Sequence, residues 1–123
     1  MHEDIQACAV TCILSRQRTV ARDELRVFAG NLMGSLSAAC VQRGAKVIGH
    51  IKGYLEHATG FLHAHTTGEA ADITVDGRDG DPAGRLTVVI NAVIYGITAE
   101  AIKEAAESAL ESSRLQFGFV REP

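Results

Sequence analysis

The chain has 123 residues, 46% of them apolar and 22% charged, with a formal net charge of −3. That is the size of one domain, long enough to bury a core without disulfide or metal staples and too apolar for a disordered chain. An acidic total also lacks the electrostatic footprint of a nucleic-acid binder, although residues 1–60 carry seven Lys/Arg against five Asp/Glu and Arg16, Arg18, Arg22 and Arg26 form a candidate phosphate-facing patch.

Residues 5–14, IQACAVTCIL, are mostly apolar with β-branched Val10, Thr11 and Ile13, and predict a buried strand. The polar SRQRTVARDE then leads into a helix on which Leu25, Phe28, Ala29, Leu32, Leu36, Ala39 and Cys40 recur on one face, with Gly44 placed to end it in the left-handed region. Gly30 and Gly34 inside this helix each cost about 1 kcal/mol relative to Ala, which predicts close packing of another backbone against that turn.

KVIGHIKGYL alternates, with Val47, Gly49, Ile51, Gly53 and Leu55 on one side and Ile48, His50, Lys52 and Tyr54 on the other. EHATG reads as a turn, and FLHAHTT alternates again, so the two segments predict a hairpin. ADITVDG continues as strand, DGRDGDPAGR is a polar turn, and RLTVVINAVIYGI is a long strand apolar on both faces, as at a sheet's centre. Thr98 is a candidate N-cap for a second helix with Ile102, Ala105, Ala106, Ala109 and Leu110 as its apolar stripe through about Ser113, and LQFGFV alternates as a closing strand. Strand, helix, meander, helix and strand in this order predict a single α+β domain over residues 1–123. Its architecture is a ferredoxin-like split βαβ sandwich, a largely antiparallel sheet with two helices on one face and an enlarged middle hairpin.

Four of the five histidines lie between Gly49 and Gly68. If the hairpin pairs with an odd register sum such as 115, His50 faces His65 and Lys52 faces His63; a sum of 116 instead sets Gly53 against His63. On the odd register His50, His63 and His65 are candidate ligands for a divalent transition metal with an open fourth position, although the Lys52 ammonium opposes a cation there. The alternative is a solvated or partner-covered face. His57 is expected in the turn, and His2 at a mobile terminus.

Cys8, Cys12 and Cys40 are an odd set without zinc-knuckle spacing and read as small buried hydrophobes in a reduced, cytoplasmic setting. No run reaches the roughly 18 apolar residues of a membrane span. The aspartates from Asp76 to Asp81 lack calcium-loop spacing and read as a solvated turn. Asn91, on the side of the long strand that carries Thr87, Val89, Val93 and Tyr95, lines a pocket or bonds to backbone. Phosphate-loop, dinucleotide and nucleophile-elbow motifs do not occur.

GAKVIGHIKGYL, following the helix RDELRVFAGNLMGSLSAACVQR, and more loosely VVINAVIYGI, resembles the appended C-terminal region of CobW-type GTPases, relatives of cobalamin-synthesis and metal-chaperone proteins. The likeness covers residues 20–55 and carries no catalytic role, because this chain has neither a Walker A loop nor a Cys-x-Cys-Cys element. It implies a stand-alone accessory domain in metal or corrinoid handling, working beside a separate GTPase or metalloprotein. The sequence therefore leads to a non-enzymatic domain that binds a metal, a small ligand or a partner and forms a homo-oligomer. The rivals are a metal-dependent hydrolase or isomerase with His50, His63 or His65 as ligands and a further histidine or Glu69 as general base, and a purely structural oligomerisation module.

Overall fold

The computed structural model describes residues 4–69 and 72–123. His2 and Ala71, the first residue of the ADITVDG segment, lie outside them. Strand β1 (Ile5–Val20) is followed by helix α1 (Arg22–Gln42), strands β2 (Val47–His57), β3 (Gly60–Thr66), β4 (Thr74–Arg78) and β5 (Ala83–Tyr95), helix α2 (Ala99–Phe117) and strand β6 (Val120–Arg121). The strands form one antiparallel sheet in the order β4-β3-β2-β5-β1-β6.

β1 and β2 are both antiparallel to β5, which lies between them, so β1-α1-β2 is a βαβ unit split by a third strand; β5-α2-β6 is split by β1 in the same way. This is the expected ferredoxin-like arrangement, with the β3–β4 hairpin extending the sheet past β2. α1 packs over β2, β3 and β4 and α2 over β1, β5 and β6, leaving the opposite face of the sheet, among the described residues, without a helix.

Period-two patterning explains which strand residues go inside. Val10, Cys12 and Leu14 of β1, Ile51 and Leu55 of β2, Leu62 and Ala64 of β3, and Leu86, Val88, Ile90, Ala92 and Ile94 of β5 are buried against the helices. From α1 the seven stripe residues named above are buried and Met33 joins them; the expected stripe of α2 is buried in full. The alanines of α2 let the helices approach closely enough for the Ser113 hydroxyl to donate to Asn31 Oδ1 at 2.9 Å. Thr98 caps α2 by accepting from the Ala101 N–H.

Several sequence expectations need correction. β1 continues past Leu14 through the polar residues to buried Val20, shifting register on β5 between Ser15 and Val20. Leu115 and Phe117 belong to α2, which ends at Gly118 (φ 78°); the closing strand is only Val120–Arg121. The apparent alternation of Leu115, Phe117 and Phe119 arises because Phe117 and Phe119, on either side of that cap, both pack on Phe28, with ring centroids 5.2 and 5.0 Å away. The hairpin turn is only Ala58–Thr59, and His57 pairs with Gly60 as the last residue of β2.

The face assignment of β2 changes at Gly49. Ile48 pairs with Ile94, but His50 pairs with Val93, so Gly49 is the extra residue of a bulge. Ile48 therefore turns to the core and Val47 to the open side, the reverse of simple alternation. A Cβ at Gly49 would lie 2.8 Å from the Val93 carbonyl oxygen, so the bulge needs glycine for close approach. Gly30 and Gly34 do not: their nearest neighbours are side chains of β4 and the residue before it, Ile73 and Val75, at ordinary contact distances of 3.5–4.0 Å.

Candidate functional site

The uncovered face carries three complete cross-strand rows. One runs Ala9, Asn91, Lys52, His65, Thr74; the next Thr11, Val89, Tyr54, His63, Asp76; the third Ile13, Thr87, Glu56, Phe61, Arg78. Paired residues in such rows sit with Cβ atoms about 4.5–5.5 Å apart.

β2 and β3 pair with a register sum of 117, neither of the two values considered above. The sum is odd, so His63 and His65 share a face with His50, Lys52 and Tyr54. Their neighbours differ from the expected ones, however: Lys52 faces His65, and Tyr54 faces His63. His50 pairs with Val93 of β5, and the β2–β3 ladder begins only at Ile51 and Thr66, so His50 has no ladder partner on β3. Among the described residues no group of three or more His, Cys, Asp or Glu side chains is placed to hold a metal ion.

The register assembles an aromatic cluster instead. The His63 ring lies 4.8 Å from Tyr54 and 5.4 Å, edge-on, from Phe61; Tyr54 and Phe61 stack at 6.0 Å. The Arg78 guanidinium sits over the Phe61 ring, 6.0 Å from its centroid. The Tyr54 hydroxyl donates to Glu56 Oε2 at 3.1 Å, and desolvation by its neighbours together with that carboxylate raises the phenol's pKa. His65 Nε2 and Thr74 Oγ1 share a hydrogen bond of 2.5 Å, which commits one of the imidazole nitrogens that a metal would use. Tyr54 and Phe61 already stood on the right faces in the sequence; what joined them was the pairing register, which sequence alone does not fix.

The other singled-out residues have structural partners or lie elsewhere. Arg16, its side chain only 7% exposed, donates to both oxygens of Glu24 and to the carbonyls of Phe117, Arg18 and Thr19. Arg26 donates to both carboxylate oxygens of Asp79 and to the Val75 carbonyl. The proposed phosphate patch thus spends two of its four arginines on the fold, and the Asp76–Asp81 turn is partly held by one of them.

Asn91 is exposed on the open face and needs no buried partner. Glu69 lines a groove of about 400 Å³ with Gly34, Ser37 and Val41 of α1 and core-facing Thr66, on the helix side of the sheet, away from His63. Cys12 and Cys40 are buried thiols whose pKa values desolvation pushes up; Cys8 is half-buried. His57 Nδ1 is buried without a hydrogen-bond partner among the described residues, beside a hollow lined by Glu56, Ala58, Arg85 and Thr87. No helix is long and apolar enough, among the described residues, to cross a membrane. No family model, curated protein or solved structure matches the chain.

Proposed function

We propose that the chain is a non-enzymatic binding module and that the open sheet face is its recognition surface. The observation that carries this reading is the cluster of Tyr54, Phe61 and His63, three rings within 4.8–6.0 Å of one another on a face that neither helix covers. Aromatic side chains held on adjacent strands lose little entropy on binding and offer flat apolar area with a polar rim. The rim here is Lys52 and Arg78 beside the rings, with Glu56 and Asp76 as acceptors.

That combination suits a flat ring system bearing anionic or polar substituents. The likeness of residues 20–55 to the region appended to CobW-type GTPases leads in a compatible direction, since a corrinoid is a ligand of this shape, and an accessory role beside a separate metalloprotein asks for binding without turnover. Recognition, rather than acid–base chemistry, is what a solvent-open platform without an enclosing cleft supports.

Both tyrosines, Tyr54 and Tyr95, belong to this face and the chain has no Trp, so intrinsic fluorescence reports on it directly. Titration with a panel of planar ring compounds that includes a corrinoid is expected to quench Tyr54. Tyr54→Ala or Phe61→Ala should each weaken binding by about 0.5–1.5 kcal/mol, the range for one aromatic contact. Saturable binding that both variants leave unchanged would place the ligand elsewhere.

A further inference from the structure

We propose that the outer edge of β1 is a self-association site, taken by β1 of a second copy of this chain in antiparallel register with Cys8 at the two-fold axis. β6 covers β1 only at Leu14 and Ser15, and beyond them the Glu122 N–H donates to the Ile13 carbonyl. That bond fixes the parity: the backbone groups of Ile13, and with it Thr11, Ala9, Ala7 and Ile5, point away from β5. Among the described residues, nothing pairs with the last four of these apart from the Cys8 thiol, 4.0 Å from the Ala9 carbonyl oxygen.

An open edge of this kind is a template for another strand, and proteins ordinarily blunt it with charge, proline or brevity. The opposite edge of this sheet is blunted: β4 is Thr74–Arg78, five residues carrying Asp76 and Arg78. Ile5–Ile13, IQACAVTCI, has no charge and no proline. Two copies can therefore meet there without like-charge repulsion.

For a second copy of this chain, the register follows from counting. In a two-fold antiparallel pair, opposed residues have a constant sum, and outward-facing residues must oppose one another to exchange hydrogen bonds. The set Ile5, Ala7, Ala9 and Thr11 maps completely onto itself only for a sum of 16, which sets Ile5 against Thr11 and Ala7 against Ala9 of the second copy. Each such pair exchanges two hydrogen bonds. The same sum sets Cys8 against its own copy at a non-hydrogen-bonded position, where Cα atoms lie about 4.5 Å apart, inside the roughly 4.4–6.8 Å span that a disulfide bridges.

Two measurements test this. Light scattering coupled to size-exclusion chromatography of the reduced protein should give twice the 13.1 kDa chain mass. Ala9→Pro, which removes an N–H that no other described strand uses, should return it to the single-chain mass with an unchanged circular dichroism spectrum. Separately, in a Cys12→Ser, Cys40→Ser background, diamide should join two Cys8 thiols into a covalent dimer, taking up both hydrogens as the sulfur–sulfur bond forms, and adding Cys8→Ser should abolish that product. A single-chain mass for the reduced wild type across a dilution series overturns the proposal. So does a dimer that resists both Ala9→Pro and Cys8 cross-linking, which would move the contact to another surface. If Ala9→Pro fails to fold, the cross-link at Cys8 alone decides.

Discussion

Arg16 shows how one buried charge organises three elements. It leaves β1 just past the apolar run, reaches the first turn of α1 through Glu24 and the C-terminal end of α2 through the Phe117 carbonyl, and lies 5.4 Å from the Phe119 ring centroid. A guanidinium this enclosed is tolerated only because its donors are satisfied, and removing one partner exposes the cost of burying it. Glu24→Gln should therefore destabilise the fold by about 1.5–3 kcal/mol, the range for hydrogen bonds to charged groups, measured by urea unfolding at neutral pH. The hydrogen bonds and charge of Arg16 hold the Glu24 carboxyl below its ordinary value in the folded state. Its contribution is then present above the unfolded carboxylate pKa of about 4.3 and is lost as pH falls through the lower, folded value. The gap between wild type and Glu24→Gln should accordingly shrink on acidification; a gap constant from pH 7 to pH 3 would assign the loss to packing. That Arg16 and Arg26 are structural was not legible in the sequence, where they read as a run of basic residues with Arg18 and Arg22. The partners Glu24 and Asp79 differ in separation, and only the fold brings Asp79, 53 residues away, to Arg26.

At the scale of elements, glycine is informative only once its surroundings are known. Gly30 of α1 was expected to permit close packing, yet a Cβ there would stand 3.9 Å from Ile73 and 4.0 Å from Val75. Gly30→Ala should gain about 1 kcal/mol, the difference in helix propensity, read as a higher midpoint in urea. Gly49→Ala should do the reverse: its methyl would meet the Val93 carbonyl oxygen at 2.8 Å, and the bulge that turns His50 onto the open face would have to shift. A loss of about 1–3 kcal/mol is expected there, as for other overpacked sites. Equal effects at the two positions would mean that the bulge accommodates a side chain. Both helices and the existence of every strand were readable from periodicity, because the core side of each element repeats at its own period; the extent of the closing strand was not, since Leu115 and Phe117 belong to α2. The bulge was not, since one inserted residue leaves the apolar pattern almost intact while reversing Val47 and Ile48.

For the whole molecule, the split βαβ topology puts both helices on one side and leaves the other to solvent or partners. The same topology places β1 next to the edge, where short β6 leaves most of it uncovered, and β3 beyond β2, where it carries its aromatic and imidazole side chains onto the open face. Because Lys52 faces His65 and Tyr54 faces His63, the three histidines first considered as ligands are not expected to bind a metal together. Calorimetric titration of the untagged protein with zinc or nickel should show no stoichiometric site that depends on His63 and His65; uptake of one ion per chain, abolished by His63→Ala with His65→Ala, would restore that assignment.

Composition and periodicity alone determined the fold class, the two helix stripes and the faces of β3, because burial of apolar area acts locally and repeats with each element's geometry. The tertiary structure alone decided which side chains became neighbours across strands. Register depends on turn length and on a single bulge residue, and a slip of one or two positions exchanges a histidine cluster for an aromatic one while leaving the local hydrophobic pattern the same.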